Sequence, residues 1–150
     1  MPIRARELIA EGRRLSRGER RELVRAWAEL SAVWLGLRVL PTRRLLEISR
    51  GPSGTRNGRC CNTADGRRAA RLVNAAARYS PFPATCLTRS IVLARLLRRR
   101  GAAAEIRIGV LREGNSLAHA WVEVDGEAVN DTPDVAERHA VFDRGLAPKI

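Results

Sequence analysis

The stretch Pro83-Ala84-Thr85-Cys86-Leu87-Thr88-Arg89-Ser90 decides how this chain folds. It hands a proline-containing loop over to an apolar helix that runs to Arg100. Ser90, Leu93, Ala94 and Leu97 follow Cys86 at helical spacing, and Leu87 and Ile91 widen the buried stripe. Pro83 and Thr85 are start signals, and Gly101 is a stop signal after Arg98, Arg99 and Arg100. Cys86 therefore falls in a first helical turn. Unpaired backbone N–H groups and the positive end of the helix dipole favour the thiolate there. The same residue also has a plain structural use, because free cysteine is among the side chains most often buried.

Downstream of Gly101 the period changes from helical to alternating. Ile106, Ile108 and Val110 point away from Glu105, Arg107 and Gly109, which is a strand signal. Glu113-Gly114-Asn115 is a turn, and Leu117 to Val124 is a second strand. Leu117, His119, Trp121 and Glu123 lie on one face of it, with Ala118, Ala120, Val122 and Val124 on the other. Asp125-Gly126 predicts a tight hairpin, with Glu127 to Asn130 returning as a third strand that ends at Asp131.

Upstream, residues 2–15 read as a short helix, and Ser16-Arg17-Gly18-Glu19 as a capping box opening a second. Leu23, Trp27, Leu30, Trp34 and Leu37 repeat along that helix as a core stripe until Pro41 ends it. The two tryptophans also leave a docking role open. Leu45, Leu46 and Ile48 suit one turn of helix, and residues 51–59 form a loop by composition. Thr63 or Asp65 caps a further helix through Ala69, Leu72, Val73, Ala76 and Ala77, ending near Tyr79. Helices followed by an antiparallel meander define the class as α+β. The length of 150 residues suits a single domain.

Composition narrows the function classes. Apolar residues at 45% and charged residues at 29% describe a folded globular chain. No opening stretch has the apolar run of a secretory signal, and Leu30 to Leu37 is too short to span a bilayer, so the cytoplasm is expected and a membrane is not. Three cysteines, two of them the adjacent Cys60 and Cys61, argue against a disulfide framework. Cys60 and Cys61 read as structural or incidental. Without a C-x-x-C motif or a partner at i+4 for His119 or His139, no metal or other cofactor is expected. Residues 1–100 carry 23 basic and 7 acidic side chains, and residues 101–150 carry 5 and 9, so the net charge of +12 belongs to the helical part. Such a field attracts anionic partners. An Arg-rich nucleic-acid-binding domain is one reading, but no nucleic-acid motif accompanies the arginines and aromatics are sparse.

Three residues then stand in a telling order: Cys86 at a helix start, His119 in mid-strand, and Asp131 ending the next strand. The hairpin brings the Asp131 carboxylate towards the His119 imidazole, and packing the helix on the sheet brings Cys86 to His119. Imidazole takes the thiol proton, the carboxylate fixes its tautomer, and the thiolate attacks a carbonyl. The Cys86 backbone N–H is an oxyanion donor at the helix start. Each residue has another use taken singly. His119 beside Trp121 suits a core histidine, and Asp131 before Thr132-Pro133-Asp134 suits a turn or cap. Asp134 rivals Asp131 as the carboxylate, and Asp125, placed in the turn, is a weaker rival. His139, in a polar stretch, reads as surface. This places a helical cover at 1–50 and a Cys-His-Asp core at 62–150.

The run Cys86-Leu87-Thr88-Arg89-Ser90 with Leu96-Leu97 and Gly101, then Ile108-Gly109-Val110, then Ala118-His119-Ala120-Trp121-Val122-Glu123-Val124-Asp125-Gly126 and Asn130-Asp131, resembles the B2-type leader peptidases of lasso peptide biosynthesis. These are small members of the transglutaminase-like, papain-related superfamily. The resemblance implies Cys86 as nucleophile, His119 as base, Asp131 as orienting acid, and removal of the leader from a ribosomally made precursor peptide. It implies two partner proteins, a separate leader-recognition B1 protein and an ATP-dependent cyclase that closes the ring. Residues 1–50 lack the strand pattern of a built-in recognition module. Acyl transfer to an amine on the same triad is the enzymatic alternative, and a catalytically silent scaffold the non-enzymatic one.

Overall fold

The structure is a computed structural model and describes residues 16–49, 62–112 and 118–141. The expected helix at 2–15, the loop at 51–59, the turn at 113–115, Cys60, Cys61 and Leu117 lie outside them. Four helices lead into a sheet: α1 (Arg17–Val39), α2 (Thr42–Ser49), α3 (Thr63–Arg78) and α4 (Cys86–Arg99). Then come β1 (Ala104–Leu111), β2 (Ala118–Val124), β3 (Glu127–Ala128), the short α5 (Val135–Arg138) and β4 (His139–Val141). The architecture is α+β, with helices packed on a small antiparallel sheet. No described helix is long and apolar enough to cross a membrane.

The helix ends follow from local chemistry. Ser16 Oγ accepts from the Glu19 N–H while Glu19 Oε2 accepts from the Ser16 N–H, so the capping box forms as read. The α3 cap is Asn62, whose Oδ1 accepts from the Asp65 N–H at 2.9 Å, not Thr63 or Asp65. Its extended backbone sits just before the first helical residue, the place where a side-chain oxygen reaches the orphan donors. Thr85 caps α4 as expected. At the far end Gly101, with φ of 90°, lets the Ala102 N–H reach back to the Leu97 carbonyl at 3.0 Å and closes the helix.

The core stripe of α1 is rotated from the expected one. Ala26, Leu30 and Val33 are buried, and Leu23 and Leu37 pack beside them. Trp27 remains 42% exposed, its Nε1 donating to the Tyr79 carbonyl, and Trp34 stacks on Phe82 with centroids 4.2 Å apart. Ala69, Ala70 and Ala76 of α3 join Ala26 in this core. Alanine contacts bring helices close, and the bulky indoles go to the rim.

The sheet order is β3-β2-β1-β4, all antiparallel. The Asp125-Gly126 turn has φ of 53° and 82°, the positive pair a two-residue hairpin requires. Alternation along β2 sends Val122 and Val124 into the helical core and Trp121 to the other face, where Ala128 and Val135 cover it. Two expectations fail here. The third strand ends at Ala128, because the Asn130 side chain, rather than its backbone, bonds the Val122 N–H. And β4, three residues with no alternation to betray it, adds to the opposite edge beside β1.

Candidate active site

Cys86 is the first residue of α4 and a half-buried free thiol. Its backbone N–H, like those of every helix start, has no intrahelical carbonyl to bond. Ser90, one turn further on, is fully buried and donates from Oγ to the Ala120 carbonyl at 3.0 Å. That bond docks α4 against β2 one residue from His119.

His119 and Asp131 meet as the hairpin reading requires, with His119 Nε2 hydrogen-bonded to Asp131 Oδ2. The other carboxylate oxygen, Oδ1, accepts the Thr132 N–H at 2.7 Å and lies 3.9 Å from Arg138 Nη2. Burial pushes the Asp131 carboxyl up, but the His119 and Thr132 hydrogen bonds outweigh it and hold the group below its ordinary value. Asp131 is thus an anion with both oxygens engaged. Asp134 is exposed and pairs with Arg138 Nε at 2.8 Å instead of with His119. Nδ1 is the His119 nitrogen left for a thiol. Among the described residues Cys86 Sγ has no hydrogen-bond partner, so the structure joins two of the three expected residues and leaves the third contact unmade. Catalytic hydrogen bonds are commonly long in unliganded sites and tighten when substrate binds.

His139 is buried, not at the surface. Its Nδ1 bonds the Val135 carbonyl at 2.9 Å, and its ring lies 5.3 Å from that of His119 and 5.6 Å from that of Trp121. The polar residues around it in sequence misled, because β4 carries it inward. Asn130 and Ser90, read from the sequence as a strand end and a stripe position, also bond to each other beside the site. The adjacency of Asn130 to Asp131 was the one available signal. Among the described residues no group of three or more His, Cys, Asp or Glu side chains is placed to hold a metal.

The helix-start Cys86 thus lies against an antiparallel sheet that bears the His119–Asp131 pair. The chain belongs to the transglutaminase-like superfamily, whose family model matches residues 23–143. It is also similar to the microcin J25-processing protein McjB of Escherichia coli, 40% identical over 61 residues. That match covers 41% of this chain and 29% of McjB. No solved structure matches significantly.

Proposed function

We propose that this protein is a cysteine peptidase that removes the leader from a lasso peptide precursor. The observation that carries the reading is the His119–Asp131 bond, which leaves Nδ1 without a partner among the described residues, on the sheet against which the Cys86 helix docks. The similarity to a microcin-processing protein supports the substrate class. His119 Nδ1 takes the Cys86 proton, and Sγ attacks the scissile carbonyl carbon. The oxyanion that forms is met by the Cys86 N–H. His119 then protonates the leaving amine, the new N-terminus of the core peptide, and water releases the leader from the thioester. Asp131 fixes the imidazole tautomer and balances the imidazolium. A B1 protein delivers the leader, and the freed amine goes to the cyclase.

Cys86→Ala or Cys86→Ser should abolish leader release, followed by mass spectrometry, while leaving the fold intact. Iodoacetamide should modify Cys86 ahead of Cys60 and Cys61. Full cleavage by a folded Cys86→Ala protein overturns the mechanism.

A further inference from the structure

The directions of a connected set of hydrogen bonds around the buried Ser90 follow one from another. The Val122 N–H is a donor, so the Asn130 atom 2.7 Å from it is the amide oxygen. The Asn130 Nδ2 group therefore faces Ser90 Oγ, at 3.1 Å, and donates to it. Ser90 Oγ, already accepting, gives its own proton to the Ala120 carbonyl. The Val129 N–H completes the set by donating to the Val122 carbonyl at 3.0 Å. Ser90 is wholly buried, so its hydroxyl depends on Asn130 and Ala120 and not on water.

The attachment points matter more than the bonds themselves. Ser90 lies one turn from Cys86 on α4, Ala120 follows His119, and Asn130 precedes Asp131. We propose that Ser90 and Asn130 are positioning residues, a polar clasp that holds the Cys86 helix in register with the His119–Asp131 pair. Neither touches the reacting atoms. The hydrophobic contacts of α4 with the sheet resist separation but slide at little cost. Directional bonds to Ala120 and Val122 set where along β2 the helix start falls. Misplacement of a reacting group by about 1 Å costs on the order of a hundred-fold in rate, so the clasp acts on turnover more than on substrate binding.

The proposal rests on the Cys86 mechanism above, so its test includes a readout that needs no substrate. Ser90→Ala, Asn130→Ala and the hydroxyl-preserving Ser90→Thr are compared with the parent in a Cys60→Ser/Cys61→Ser background, at temperatures well below unfolding. Two quantities are measured: kcat and KM for precursor cleavage, and the pH dependence of Cys86 alkylation by iodoacetamide. In the two alanine variants kcat should fall by about ten- to a hundred-fold with KM little changed. The alkylation inflection should also move away from the parental one, because the imidazole is no longer held where it can take the thiol proton. Ser90→Thr should restore much of both. Folded alanine variants with parental kcat and inflection overturn the clasp. A parent that alkylates at depressed pH but cleaves no precursor even with a B1 protein added overturns the proposed function and leaves the clasp to be decided by the inflection alone. A parental inflection already at the free-cysteine value overturns both. Should Ser90→Ala fail to fold, the partly exposed Asn130→Ala carries the same two readouts.

Discussion

Asp131, the expected acid, and its rival Asp134 lie three residues apart, and only Asp131 meets the imidazole. Asp131→Ala should cut leader cleavage by about a hundred-fold or more, while Asp134→Ala, which removes an exposed pair with Arg138, should leave the rate close to parental. The opposite ranking would move the acid to Asp134. The lowered Asp131 value also has a consequence for stability. A carboxyl held lower in the folded chain than in the unfolded one contributes stability at pH values above the ordinary aspartate value of about 3.9. That contribution disappears as pH falls through the lowered folded value. Denaturant midpoints of the parent should therefore drop further between pH 5 and pH 3 than those of Asp131→Asn. An equal drop would mean that the pair does not stabilise the fold. The Asp131 contact was legible because a two-residue turn at Asp125-Gly126 leaves little freedom in where the returning chain runs. His139 was not legible, since nothing local marks a three-residue strand whose burial depends on β1.

Among the secondary-structure elements, the starts of α1 and α4 were legible because caps are local events, while α3 is capped by Asn62 instead of Thr63 or Asp65 and the single turn expected at 45–48 extends over Thr42–Ser49. Which face a helix buries is a tertiary matter. The α1 leucines at positions 23, 30 and 37 do pack as expected, but the tryptophans between them gave way to Ala26 and Val33. Two glycines show the same division between local and tertiary control. Gly18 lies in the first turn of α1 with open space around it, the nearest atom to an added Cβ being Ser16 Oγ at 3.9 Å. Gly18→Ala should raise stability by about 0.4–1 kcal/mol. Gly66 is buried in α3, and a Cβ there would lie 2.8 Å from Val129 Cγ1. Alanine gains about 1 kcal/mol in helix propensity, but overpacking a branched and buried neighbour costs about 1–3 kcal/mol. Gly66→Ala should therefore be net destabilising. It should also slow cleavage, because Val129 leads directly into Asn130 and Asp131. Chemical denaturation of both variants checks the pair, and a stabilised Gly66→Ala would mean that α3 can shift away from Val129 freely.

Across the whole molecule, the arginine excess divides into two uses. Glu29, with 12% of its side chain exposed, gathers Arg95 and Arg99 of α4 and Arg25 of its own helix, while Glu22 pairs with Arg100 at the C-cap of α4, so all of these arginines but Arg25 join α1 to α4. Arg68 of α3 holds Glu19 of the α1 capping box, whose carboxyl is pulled down to about 2. Arg17, Arg21, Arg44 and Arg71 make no ion pair among the described residues and remain to shape the outer field. If a B1 protein delivers the leader, adding it should speed cleavage strongly at precursor well below saturation. The gain should shrink as salt rises, because screening shortens arginine steering. Equal rates with and without the partner would show that this chain recognises the leader unaided. Joining β4 to the sheet sets a different kind of limit, one on inheritance. Gly109 is paired with His119 on one side and Val141 on the other. A Cβ there would lie 2.9 Å from the Ala140 carbonyl oxygen, 3.0 Å from His139 Cβ and 3.2 Å from Trp121 Cη2. Backbone on one side and indole on the other leave no direction in which to yield. A library randomised at codon 109 and selected for activity should return glycine alone, whereas the exposed position 112, three residues along, should return a broad mixture. Recovery of alanine or serine at position 109 with parental activity would show that the sheet can open at β4. Otherwise descendants of this protein keep that codon while the chain around it drifts.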